Sequence, residues 1–78
     1  MHRSAEERAN IAQRKMSLKQ GRLMAIFETM GGPPEDDDEL QRAHQEAQEW
    51  VDRNTDAEGN LKPGAPGLQD GLEGWQNG

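Results

Sequence analysis

Few side chains in this sequence are of types that do chemistry, and their spacing argues against most reactions. The serines are Ser4 and Ser17, the histidines His2 and His44, and cysteine is absent. On a helix His44 would have Leu40, Gln41, Ala47 and Gln48 as its neighbours, none of them a usual metal ligand or orienting carboxylate. Asp52-x-Asn54-x-Asp56 opens like a calcium loop, but Ala57 stands where glycine is needed and Pro63 where the bidentate glutamate is needed. No glycine-rich phosphate loop lies between a strand and a helix. The expectation is a non-enzymatic chain without cofactor or metal.

Three other groupings point to binding. Arg8, Lys15, Lys19 and Arg22 form a basic stripe on a helical wheel. Lys15 and Lys19, like charges four residues apart, gain from a neutralising partner. That partner is either an anion (RNA or a small nucleotide) or the chain's own acids, Glu46, Glu49 and Asp56, brought opposite by folding back about Gly32. The second grouping is the acidic run Glu35, Asp36, Asp37, Asp38 and Glu39, suited to a basic groove on a partner or to capping a helix. The third is Leu68, Leu72 and Trp75, at the spacing by which an amphipathic turn anchors in a groove. The alternative is that this set packs on its own hairpin.

The elements that hold these groups follow from pattern. Ser4-x-x-Glu7 has capping-box spacing, and apolar residues recur at helical period as far as Met30. Gly31-Gly32-Pro33-Pro34 stops that helix. Its wheel has two apolar flanks divided by the basic stripe: Ala5, Ala9, Ala12, Met16, Leu23, Phe27 and Met30 on one, Ile11, Leu18 and Ala25 on the other. Two flanks imply two packing partners. A second helix is predicted over 34–54, with Pro34 in its first turn and Leu40, Ala43, Ala47 and Trp50 as its apolar stripe. Asp38/Arg42 and Glu49/Arg53 are candidate ion pairs along it. Residues 55–78 hold six glycines and two prolines, too many for a stable helix, and read as an extended acidic tail opened by a turn at Asp56–Gly59.

Composition supplies the remaining bounds. Isoleucine, leucine, valine and phenylalanine number ten of 78, a core too small to stabilise much alone, and no disulfide reinforces it. Self-association is the ordinary remedy. The net charge of −6 divides into +3 over residues 1–30 and −9 over 31–78. No run approaches the length of a membrane span, and the expected location is cytoplasmic.

The fold expected is therefore all-α: an antiparallel helical hairpin of residues 1–54, helices 4–30 and 34–54, assembling into a dimer or higher bundle, with the tail of 55–78 extended from it. The function expected is a protein-binding module that works by occupancy, an inhibitor or adaptor. Size and charge carry an analogy to small phage or mobile-element proteins directed at host machinery such as a defence system. The partner-binding candidates are Leu68, Leu72, Trp75 and the Glu35–Glu39 run; the alternative is anion binding by Arg8, Lys15, Lys19 and Arg22.

Overall fold

In the computed structural model, which describes residues 3–75, two helices pack as a hairpin and no strand forms among the described residues. His2 and the end of the tail, Gln76–Gly78, lie outside the described residues. Helix α1 spans Ala5–Met30 and α2 spans Asp37–Asn54; a short 3-10 turn, η1, spans Glu73–Trp75.

Helix α1 begins where its cap puts it. Ser4 is extended and its hydroxyl accepts the Glu7 N–H at 3.1 Å. At the other end Gly31 takes φ 92°, and the Gly31 and Gly32 N–H groups donate back to Glu28 and Phe27 at 3.2 and 2.7 Å. That left-handed stop satisfies the last carbonyls at no cost to a Cβ, which glycine lacks.

Helix α2 starts at Asp37, not at Pro34. Asp36 is its cap, extended at φ −84°, with its carboxylate accepting the Asp38 N–H at 2.9 Å. Aspartate offers this bond and proline offers none, so the helix waits for the aspartate. Asp37, Asp38 and Glu39 remain in the first turn. The delay also changes the pairing across the hairpin. Folding about Gly32 sets Lys19 against Glu46, but the residue found there is Arg22, at 3.4 Å. Arg22 follows Lys19 by three residues, as Asp37 follows Pro34. Lys15–Glu49 and Arg8–Asp56 are likewise not ion pairs; the other one among the described residues is Arg3–Glu58, at 3.1 Å. Asp38–Arg42 and Glu49–Arg53 do not close either.

The core is small. Ile26, Ala43, Ala47 and Val51 have no exposure, and Trp50 has 2%. Alanines on α2 let the helices approach, and Trp50 fills the space they leave. Asn54 and Thr55 end α2 by donating to the carbonyls of Trp50 and Val51, at 2.8 and 2.7 Å.

After α2 the chain does not extend away. Thr55 bridges Leu61, enclosing a turn in which the Asp56 carboxylate accepts the N–H groups of Glu58 and Asn60. Gly59, at φ 81°, lies so close to α1 that a Cβ there would sit 3.0 Å from the Ile11 carbonyl oxygen. From there the segment runs along α1 toward its C-terminal end. Leu68 meets α1 at Gly21, and Leu72 joins Ala25, Ile26 and Ala43 with 5% exposure. The extended tail is thus corrected to a folded-back strap, at least as far as Trp75. It covers the α1 flank that carries Ile11, Leu18 and Ala25.

Candidate functional site

The basic stripe is divided by the fold. Arg22, with 2% exposure, is the only one of its four cations that is buried. Its Nη1 donates to the carbonyls of Leu68 and Asp70, at 3.1 and 2.6 Å, and Nη2 reaches the Glu46 carboxylate. Its Cζ stands 5.3 Å from the centre of the Trp50 ring. A planar fork of donors is the group that can bind two carbonyls and a carboxylate at once. Arg22 Nε and Trp50 Nε1 find no acceptor among the described residues. Arg22 therefore joins the strap to both helices and is withdrawn from any ligand. Lys15 and Lys19 are half-buried and Arg8 is exposed. Lys15 and Lys19 flank a groove of about 400 Å³ between the helices, with Ala12, Met16, Leu23 and His44 also lining it.

The tail anchors are divided too. Leu72 belongs to the core, and Leu68 is half-buried on Gly21. Trp75 is half-buried at the edge of the core, and the Arg42 guanidinium lies over its ring at 4.6 Å. Arg42 is thereby drawn to the ring in place of Asp38.

At the turn end of the hairpin two sets far apart in sequence come together. A concavity of about 400 Å³ is bounded by Met30, Pro34, Glu35, Glu39, Arg42 and Trp75. Glu35, Asp36, Asp37, Asp38 and Glu39 are all exposed around or beside it. Strap and hairpin thus place an aromatic edge, a methionine, a proline and carboxylates around one opening. Such a surface suits a partner offering an apolar side chain next to a cation. Sequence spacing could not join Trp75 to Glu35, because the return path of the strap sets their separation.

No helix among the described residues is long and apolar enough to cross a membrane. Comparison with protein-family models, with curated proteins and with solved structures gave no match to this chain.

Proposed function

We propose that this chain is a non-enzymatic protein-binding module, an inhibitor or adaptor, that acts by occupying a basic segment of a partner protein with its turn end. The observation that carries this reading is the meeting of Trp75 with Glu35 and Glu39 around one concavity. Trp75 supplies the kind of side chain that dominates interface energies, and the acidic run supplies steering and specificity. Leu68 and Leu72 hold the strap in place and drop out of the partner surface. The cytoplasm is the expected compartment. The reading includes self-association of the hairpin, because one of its faces stays uncovered.

The test is capture of partners by the intact chain, a Trp75→Ala variant and a Glu35→Gln/Glu39→Gln variant, with bound protein and nucleic acid both identified. A protein held by the intact chain and lost by both variants supports the turn end, and its capture should weaken as salt rises. A protein held equally by all three would overturn it. The second reading, RNA or nucleotide bound by Arg8, Lys15 and Lys19, keeps three of its four cations. It requires nucleic acid retained by the Trp75 variant and released by Lys15→Glu/Lys19→Glu.

A further inference from the structure

We infer that α1 pairs with α1 of a second copy of this chain, antiparallel, about a two-fold axis at Met16. The inference rests on the self-association just proposed and gives it a surface. The two flanks of α1 have different fates. The strap covers Ile11, Leu18 and Ala25, while nothing among the described residues covers the line Ala5, Ala9, Ala12 and Met16. The three alanines are exposed, Met16 is 59% exposed, and Leu23 and Phe27 farther along the line are half-buried, each with one side against the hairpin core.

The order of sizes along that line selects the occupant. Small side chains fill its first half and large ones its second. In an antiparallel pair centred on Met16, Ala5 meets Phe27, Ala9 meets Leu23 and Ala12 meets Gln20 of the second copy. Leu23 and Phe27 then each face an alanine, Met16 meets its own copy on the axis, and every other contact occurs twice, as a two-fold interface requires. A parallel pair would set Phe27 against Phe27 and leave a gap between alanines.

The area is that of a small interface. Ala5 to Phe27 is about 33 Å of helix at 1.5 Å per residue. A helix face is about 11 Å wide and the groove beside α2 adds about as much along half of that length, which comes to about 1,100 Å² over both copies, near the lower limit for a specific interface. Length points the same way. By rise, α1 is about 39 Å long and α2 about 27 Å, so the first turns of α1 project past α2. The pairing lays that projecting end along the groove bounded by Met16, Leu23 and His44 of the second copy. Charge favours the antiparallel sense as well. It sends the two acidic turn ends to opposite ends of the assembly, about 45 Å apart by helical rise, far beyond a Debye length of about 8 Å.

The absence of cysteine makes the test clean. The unmodified chain at tens of micromolar should sediment at twice its 8.7 kDa. Met16→Cys should form a covalent dimer under mild oxidation, while Ser17→Cys, about 100° around α1 and beside the strap, should not. Ala9→Glu, a change at an exposed position, should weaken the dimer at least tenfold with helical circular dichroism unchanged. A monomeric mass at 100 micromolar would overturn self-association itself. A dimer that links through Ser17→Cys and not Met16→Cys, or that ignores Ala9→Glu, would keep self-association and overturn this surface.

Discussion

The two flanks of α1 are made of similar residues and are used differently. One carries Ile11, Leu18 and Ala25, lies under the strap, and has Arg22 at its border with the hairpin core. The other carries Ala5, Ala9, Ala12 and Met16, which face outward, and then Leu23, Phe27 and Met30, which pack against the hairpin core. Apolar content does not separate them: each is a helical stripe of alanines and larger side chains. The difference is the arginine, whose fork grips strap carbonyls on its own side and has no counterpart on the other. A polar side chain thus ties the strap to one apolar flank, and the first half of the other stays exposed.

The comparison breaks most severely if the shared core is removed. Trp50 is buried under Arg22 and touches the interior from α2. Trp50→Ala is expected to cost about 3–5 kcal/mol, which matches the whole stability typical of a chain this small. Far-ultraviolet circular dichroism should show it largely unfolded at 25 °C. The corresponding truncation on the open flank, Met16→Ala, should shift monomer stability by less than about 0.5 kcal/mol. Equal costs at the two positions would mean that the open flank is covered after all.

The next effect isolates the grip itself. Arg22→Ala leaves the carbonyls of Leu68 and Asp70 and the Glu46 carboxylate without their donor, at an expected cost of about 2–3 kcal/mol. Arg22→Lys should recover less than half of it, since one ammonium cannot reproduce the fork. The strap should then open before the hairpin does. Limited proteolysis within residues 62–71 and faster amide exchange there would register that. If Arg22→Ala melts both together, strap and hairpin are one cooperative unit. In either case removing everything after Asn54 should destabilise the hairpin itself, because Leu72 leaves the core with it.

What the sequence made legible here was local. Ser4 as cap, the Gly31 stop, the turn at Asp56–Gly59 and the buried stripe of α2 all follow from residues within one or two turns of each other. The division of α1 into two apolar flanks was equally plain on the wheel. What was not legible depended on longer connections. A three-residue delay in α2, set by competition between Pro34 and Asp36 for the start, moved the pairing of Glu46 from Lys19 to Arg22. Arg22 looked like one member of a cationic row, because nothing local marks an arginine whose acceptors are backbone carbonyls 46 and 48 residues away. Composition alone pictured residues 55–75 as an extended tail. Its glycines prevent a helix, yet they also supply the left-handed turns by which the segment stays close to α1.

The smallest effect tests that closeness at one atom. Gly21 lies within α1, where alanine in its place would favour the helix by roughly 1 kcal/mol. A Cβ there would stand 3.0 Å from Leu68 Cδ1, so the leucine must shift to admit it. The two consequences oppose each other, and Gly21→Ala alone should change stability by less than about 0.5 kcal/mol. Shortening the leucine removes the obstacle. In a Leu68→Ala background the same change should be stabilising by close to the full 1 kcal/mol. Denaturant unfolding of the four proteins measures the coupling directly. Additive effects would show that Leu68 does not rest on Gly21, and the strap would then depend on Arg22 and Leu72 alone along this stretch. A coupling of the expected sign would mean that α1 keeps a glycine, at a cost in helix stability, because the covered flank has to be approached closely.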